Sequence, residues 1–343
     1  MKKSLTFVLT AALCLSLAAC GGGAGSLDQG AASDGEGFER ITIKASYATS
    51  EQGMDGVACA KFAELVSERT DGAVAIQGFG GAQLASGDMD RMVELLIQGG
   101  AYDMCVLSEG VMEGINPEFY ALEVPFAFKG YEEVYERVDS PEGQQWLTDE
   151  FAKADLTYLA SLGNGIAQMT NSKRAVYEPS DLNGLRFRVY GDSDYRLMRA
   201  LGADAFSMSF SELYSALQQG TVDGQINGLQ TINSANLQEV QKYCTMVNMT
   251  YSGYHIVVNS GAWNNYSPEL QAVLRECARE AALYARERLF EAEAELRGEF
   301  EDAGVIFCDP TDAQLDMFKE KALPVARETI STLSPRTVEV FGL

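Results

Sequence analysis

The chain has 343 residues, of which 49 are acidic and 26 basic, and its formal net charge is −23. This charge argues against nucleic-acid binding, because phosphates require a basic surface. It does not exclude a small anionic ligand, since the local potential governs a binding site. With 46% hydrophobic residues, the chain can bury one large core or two medium-sized ones.

The N-terminus has the features of a secreted lipoprotein. A basic start precedes an apolar run over residues 5–17, which is too short to span a bilayer. The sequence LAAC then ends at Cys20 and resembles a lipobox. We predict a signal peptide over 1–20, lipidation of Cys20 and a flexible tether over 21–38; the alternative is an ordinary signal with a chance cysteine. The mature protein is then expected outside the cytoplasmic membrane (in the periplasm or on the outer face of the cell membrane) and attached to it by lipid.

The remaining cysteines show no close pairs and no CxxC motif. Their number and spacing predict neither a disulfide framework nor a metal centre, and most are expected to be small core residues. They are Cys59, Cys105, Cys244, Cys277 and Cys308.

The first third of the chain alternates between strand and helix patterns. Strands are predicted over 41–47, 73–79 and 102–107, and helices over 53–69 and 88–98. This order predicts a parallel sheet with helices on both faces. Ligands bind such sheets at the carboxyl ends of the strands, which makes Tyr47 and Ser108 candidate pocket residues. The alternative for both is ordinary loop chemistry.

The segment from 181 to 227 is the most informative. A strand over 185–190 alternates, so that Arg186 and Arg188 share one face. A buried arginine is costly without an anionic partner, and its guanidinium fork fits a carboxylate. We predict that Arg188 anchors an acidic ligand. The alternative is that both arginines pair with structural carboxylates or face water.

The α/β alternation then repeats and predicts a second domain. A long strand over 251–259 could cross between the domains; it contains His255, for which we expect a structural role. A helix from 267 to about 300 is predicted to lie across both domains, with a coiled coil as the alternative, and one more helix is expected over 310–330. The predicted domains are 39–162 with 251–280, and 163–250 with 281–343.

Several ordered motifs resemble one family. They are KFAELVSERTDGAVAI, GAQL, EVPFAF, NSK, DLNGLRFRV, GADAFSMSFSELYSALQQGTVDGQIN and LQEVQKY. The chain resembles the extracytoplasmic solute-binding proteins of tripartite ATP-independent periplasmic (TRAP) transporters, of the dicarboxylate type. The resemblance implies an α/β, two-domain periplasmic-binding-protein fold of the type II kind, with a long helix spanning both domains.

The resemblance also implies a function and a site. Such proteins close on a small organic acid and deliver it to a sodium-coupled membrane permease, without catalysis, cofactor or metal. The strand arginine that binds the ligand carboxylate falls on Arg188. The candidate ligand-binding residues are Arg188, Asn227, Phe210, Ser108, Tyr47, Gln225, Tyr190 and Tyr251.

Three positions depart from the family pattern. Ala167 stands where many members carry a second arginine, Ile226 replaces a glutamate, and Met249 replaces a frequent histidine. The departures predict a less polar pocket and a monocarboxylate with an apolar, aromatic or keto-containing body. The alternative functions are a binding protein for an ABC transporter or sensor kinase, and an extracytoplasmic lipoprotein hydrolase.

Overall fold

Two β-sheets form the framework of the chain. The structure is a computed structural model and describes residues 37–343, so that Cys20, the predicted signal peptide and most of the predicted tether lie outside the described residues. The strands are β1 (Ile41–Tyr47), β2 (Val74–Phe79), β3 (Met104–Ser108), β4 (Leu156–Ile166), β5 (Gln168–Asn171), β6 (Arg186–Val189), β7 (Asp204–Ser207), β8 (Gly224–Asn227), β9 (Tyr243–Thr245), β10 (Tyr251–Asn259) and β11 (Ile306–Cys308).

Helices cover both sheets. They are α1 (Met54–Arg69), α2 (Met89–Gln98), α3 (Glu109–Met112), α4 (Tyr131–Val138), α5 (Pro141–Ala152), α6 (Asp192–Leu201), α7 (Phe210–Gln218), α8 (Leu229–Ser234), α9 (Ser260–Trp263), α10 (Pro268–Asp302), α11 (Asp312–Thr332) and α12 (Pro335–Phe341). Within the described part of the chain, no helix is both long and apolar enough to cross a membrane.

The first sheet has the strand order β2-β1-β3-β10-β4. Its strands β1, β2 and β3 are parallel, as predicted, and β10 is antiparallel to both of its neighbours. The prediction that β10 crosses between domains is therefore wrong, because the chain crosses just before it, over residues 246–250. β10 carries His255, which is buried between Ser161 and Glu109 and hydrogen-bonded as expected of a structural residue. We call this sheet and the helices packed on it the first lobe.

The second sheet has the strand order β11-β9-β5-β8-β6-β7, and with its helices it forms the second lobe. The strand predicted over 165–170 is divided, because β4 of the first sheet continues to Ile166 and β5 of the second begins at Gln168. The break follows Gly165, whose φ is 127° and where a Cβ atom would lie 2.8 Å from the Cα atom of Gly228. Only glycine adopts this conformation readily.

Helix α10 joins the two cores, as predicted. Ser267 caps its first turn by accepting from the Leu270 amide, and the helix runs for 35 residues, or roughly 50 Å. Its apolar side chains up to Leu289 pack in the core beneath the first sheet. Leu296 and Phe300 pack instead in a core of the second lobe. The alternative of a coiled coil is not needed to explain its apolar stripe.

The C-terminal helices diverge. Helix α11 contains Pro324 in its interior and packs on α6 of the second lobe through Phe318. Helix α12 packs on the first lobe instead, where Phe341 lies 4.8 Å from Trp146 between ring centroids and Thr337 accepts from the Trp146 indole. This packing differs from the predicted grouping of residues 281–343 with the second domain.

Candidate ligand-binding cleft

A cavity of about 70 Å³ lies between the two lobes, at the carboxyl ends of β1, β3, β6 and β8. This is the edge at which parallel sheets bind ligands. Both lobes contribute side chains to its wall, and five of them belong to the predicted set. They are Ser108, Arg188, Tyr190, Phe210 and Asn227.

Among residues 37–343, Arg188 is the only cationic residue that lines the cavity. Its neighbours on β6, Phe187 and Val189, are buried in the second-lobe core and thereby fix the strand. The guanidinium lies 5.6 Å from the ring centroid of Tyr190 and 5.8 Å from that of Phe210, and its Nε donates to the Met208 carbonyl at 2.9 Å. Its Nη2 atom is buried and has no hydrogen-bond partner among residues 37–343. Burial lowers the pKa of Arg188 to about 10, so it stays cationic at neutral pH and can bind an anion.

Arg186 has a different role, although it stands only two residues earlier. Its Nη2 lies 2.9 Å from Asp223 Oδ1, and its Nε donates to Oδ2 of the same carboxylate at 3.0 Å. Pairing with a structural carboxylate therefore describes Arg186. Within the described residues no carboxylate lies within salt-bridge distance of Arg188.

Asn227 and Gln225 stand one behind the other at the end of β8. Asn227 lines the cavity, and its Nδ2 donates to Gln225 Oε1. Gln225 is fully buried and donates in turn to Thr170 Oγ1 at 2.8 Å. Gln225 thus positions Asn227 and does not itself line the cavity.

The two remaining predicted residues lie away from the cavity wall. Tyr47 ends β1 but is buried in the first-lobe core, with its ring against Gly80. Tyr251 packs edge-on against the ring of Tyr131, and its hydroxyl donates to the Leu162 carbonyl at 3.3 Å. The register of their strands turns both side chains away from the cavity, and the composition of the sequence does not indicate this orientation.

Hydrogen bonds cross between the lobes around the cavity. The Tyr190 hydroxyl donates to Asp90 at 2.8 Å, and the Ser211 hydroxyl donates to the Gly87 carbonyl at 3.1 Å. These contacts join α2 and the residue just before its N-cap, Gly87, to the second lobe. The structure therefore shows the two lobes closed over the cavity.

Acidic side chains in the wall were missed by sequence reasoning. Glu123 of the first lobe and Asp194 of the second both line the cavity. Burial raises the pKa of each well above its usual range, and it raises the pKa of the adjacent Glu113 to about 7. Glu123 accepts from the Ser193 hydroxyl at 2.8 Å, so this acidic cluster also joins the lobes. Acidic residues are abundant in this chain, and although Glu123 opens the EVPFAF motif, nothing in the sequence assigns these three to the cleft.

The cavity is more polar than the family departures predicted. Ala167 does not line it, so the position of the missing second arginine says little about the wall. The neighbouring Gln168 is engaged elsewhere, since its Oε1 accepts from the amides of Val247 and Asn248 at 2.9 and 3.1 Å. The added polarity comes from residues outside the predicted binding set, namely Thr49, Glu123, Asn164, Asp194, Thr231 and Ser252.

A larger groove of about 390 Å³ lies on the first lobe and is lined in part by Arg286. That guanidinium forms a bidentate pair with Asp139 and also donates to the Ser161 carbonyl. Because its donors are already engaged, the groove offers an anion less than the smaller cavity does. In the described part of the chain no acidic, cysteine and histidine residues cluster as metal ligands, and the five cysteines there are buried and free.

Comparison with known proteins identifies the fold. The family model described as bacterial extracellular solute-binding protein, family 7, matches residues 45–332. A solute-binding protein of Verminephrobacter eiseniae is 33% identical over 80% of this chain and 81% of its own length. A TRAP periplasmic solute-binding protein of Ralstonia eutropha H16, with bound (S)-2-acetolactate, superposes with a TM-score of 0.84 at 26% identity, over 88% of this chain and 98% of the other.

A second solved structure gives the same result. A TRAP periplasmic solute-binding protein of Roseobacter denitrificans OCh 114, with bound L-galactonate, superposes with a TM-score of 0.79 at 29% identity, over 89% of this chain and 98% of the other. The predicted fold class and the predicted TRAP resemblance are both confirmed. The chain belongs to family 7 of the bacterial extracellular solute-binding proteins.

Proposed function

We propose that this protein captures a small monocarboxylic acid between its two lobes and delivers it to the membrane subunits of a TRAP-type permease. The observation that carries the proposal is the buried guanidinium of Arg188, whose Nη2 lacks a partner among the described residues and which lies in the wall of the interlobe cavity. A carboxylate would give this guanidinium the two parallel hydrogen bonds that its fork favours.

One carboxylate fits the site better than two. In the part of the chain that the structure describes, Arg188 is the sole arginine or lysine in the wall, which also contains the acidic residues Glu123 and Asp194. A second ligand carboxylate would lie near these acids without a cation of its own, and burying such a charge unpaired is costly.

Binding requires no covalent step. The ligand stabilises the closed arrangement by binding it more tightly than the open one. Closure removes Arg188 and the carboxylate from water, which strengthens their attraction. The residues that act are thus an anchor, Arg188, two flanking rings, Tyr190 and Phe210, and the polar wall at Ser108 and Asn227.

We further propose that the protein is exported and attached to the membrane by lipid. Its N-terminal leader supports export, and Cys20 supports a lipid anchor on the outer side of the membrane. We also propose that the two lobes are the domains that open and close, with α10 and the crossing segments as the connections between them.

The test is binding of organic acids to the mature protein and to two variants. A panel of small acids is screened by thermal shift, since a ligand at ~100 times its Kd adds about 2.7 kcal/mol. Arg188→Ala should weaken binding of the best acid by roughly a hundredfold or more, the ~2–5 kcal/mol typical of truncating one partner of a buried charge pair. Calorimetry gives the Kd.

Arg186→Ala is the matched control, because Arg186 lies on the same strand but pairs with Asp223 outside the cavity wall. It should keep the parent affinity. Unchanged affinity of Arg188→Ala would refute the anchor. Stabilisation only by neutral sugars or peptides would refute acid binding.

A further inference from the structure

A chain of buried side-chain hydrogen bonds ends at Asn227 in the cavity wall. Gln241 Nε2 donates to the Val240 carbonyl at 2.9 Å, and Gln241 Oε1 accepts from Thr170 Oγ1 at 2.9 Å. Thr170 Oγ1 accepts in turn from Gln225 Nε2 at 2.8 Å, and Gln225 Oε1 accepts from Asn227 Nδ2. We call Gln241, Thr170 and Gln225 the amide relay.

The direction of this relay is fixed at its far end. The Val240 carbonyl can only accept, so Gln241 must turn its nitrogen towards it and its oxygen towards Thr170. The hydroxyl of Thr170 then donates to Gln241 and can only accept from Gln225. Gln225 therefore turns its oxygen towards Asn227, and Asn227 must donate to it with its side-chain nitrogen. The group that Asn227 leaves to the cavity is its carbonyl oxygen, an acceptor.

Other groups in the wall are acceptors as well. Glu123 and Asp194 present carboxyl groups, which keep an acceptor oxygen whether or not they are protonated. The Thr49 hydroxyl donates its proton to Asp55, and the Thr231 hydroxyl donates to Asn164 Oδ1 at 2.6 Å, so both turn lone pairs and not protons to other partners. Arg188 is thus a cationic donor in a wall that also contains several acceptors, together with the hydroxyl groups of Ser108, Ser252 and Tyr254.

We infer that the ligand carries, besides the carboxylate bound by Arg188, a hydrogen-bond-donating substituent, and that the amide relay selects for it by holding the Asn227 oxygen towards the cavity. Hydroxyl and ammonium groups share this chemistry. An alkyl or keto acid would leave the Asn227 oxygen without a donor in the closed cavity, and burying an unpaired acceptor is costly. The inference rests on the proposed function, since it presupposes a carboxylate at Arg188.

The test uses sets of monocarboxylic acids with one carbon skeleton, which differ at one position by hydrogen, hydroxyl, ammonium or a keto oxygen. Binding to the mature protein is measured by calorimetry. We expect the best donor-bearing acid to bind at least about tenfold more tightly than its unsubstituted and keto analogues. Equal or tighter binding of those analogues would overturn the inference.

The two donor chemistries separate in the same experiment. An ammonium group would favour ionised carboxylates at Glu123 and Asp194, whose pKa values burial raises, so its binding should release protons. The measured enthalpy would then depend on the ionisation enthalpy of the buffer. A hydroxyl-bearing acid should bind without such dependence.

Gln225→Met tests the relay itself. The variant keeps the approximate volume but removes the acceptor that holds Asn227 Nδ2, so the preference for the donor-bearing acid should fall at least about threefold. Gln144→Met is the matched control, because Gln144 is a partly buried amide bonded to the Val138 carbonyl in the first lobe, and the preference should persist there.

Asn227→Asp and Asn227→Leu provide a second test in case Gln225→Met does not fold. A carboxylate keeps an acceptor in the wall, so this variant should retain the preference for an ammonium-bearing or hydroxyl-bearing acid. Asn227→Leu should lose it. If Gln225→Met folds, as judged by circular dichroism, and keeps the full preference, the role of the relay is refuted. If no acid binds the parent protein at all, the proposed function fails, and not this inference alone.

Discussion

Two buried arginines, one in each lobe, differ in how their positive charge is compensated. Arg188 and Arg286 are 3% and 7% exposed. Arg286 binds Asp139 with both terminal nitrogens, donates to the Ser161 carbonyl at 2.7 Å and lies 4.0 Å over the Tyr135 ring. Arg188 donates to one carbonyl and is otherwise flanked by rings.

The different partners of the two arginines shift their pKa values in opposite directions. Burial acts to lower the pKa of Arg286, but the hydrogen bond and charge of Asp139 outweigh it and raise the pKa. For Arg188 burial prevails, and the pKa falls to about 10. A buried charge without an ion-pair partner destabilises a protein. Arg286 thus belongs to the structure of the first lobe, whereas Arg188 is suited to a partner that comes from outside.

The largest change in stability is expected from a substitution of Arg286. Arg286→Ala removes a bidentate pair and leaves the Ser161 carbonyl short of its donors, so we expect the free energy of unfolding to fall by roughly 3 kcal/mol. Asp139 is half-exposed and can be rehydrated, which keeps the loss at the low end. Urea denaturation measures it, with the exposed Arg279→Ala on the same helix as control. A variant as stable as the parent would show that the pairing contributes nothing.

The acidic cluster of Glu113, Glu123 and Asp194 allows the effect of burial on a pKa to be tested through the pH dependence of stability. Burial raises the pKa of Glu113 from its usual 4.5 to about 7, so the folded protein binds this proton more tightly than the unfolded chain does. The titratable groups facing it and its neighbour Glu123 are Glu109, Asp194 and Tyr120. The stabilisation is complete below pH 4.5 and is lost as pH rises through 7, at most roughly 3 kcal/mol.

Glu113→Gln should remove this dependence. Its stability relative to the parent should rise between pH 5 and pH 8 in urea denaturation, because the parent loses stability and the amide does not titrate. Glu132→Gln on the exposed face of α4 is the control and should follow the parent at every pH. Parallel curves for Glu113→Gln and the parent would contradict the assigned cause.

The smallest expected effect is a gain in stability when Arg188 is replaced. Arg188→Met replaces a buried charge without an ion-pair partner by an apolar side chain, and the ligand-free protein should become more stable by about 1 kcal/mol. Arg186→Met should instead lose stability, since it breaks the pair with Asp223. Thermal unfolding of both variants compares them directly. A loss on Arg188→Met would mean that Arg188 is already paired in the empty protein.

Part of the cleft could be predicted because chemistry and position coincide along the chain. Arg188, Ser108 and Asn227 stand at or near strand ends, and parallel strands bring such ends together. Tyr47 satisfies the same rule but faces the core, because a side chain at a strand end can take either face. Position along the chain therefore located the cleft without fixing which side chains face it.

Residue types and order by themselves determined the α/β class, the long helix after Ser267 and an arginine on a core-type strand. These follow from local periodicity, capping and composition, which act over a few residues. Only the tertiary structure decided that Arg186 is paired and Arg188 is not, that Glu123 and Asp194 meet across the lobes, and that Gln225 stands behind Asn227. Those outcomes depend on burial and hydrogen-bond partners far apart in sequence, which no local pattern encodes.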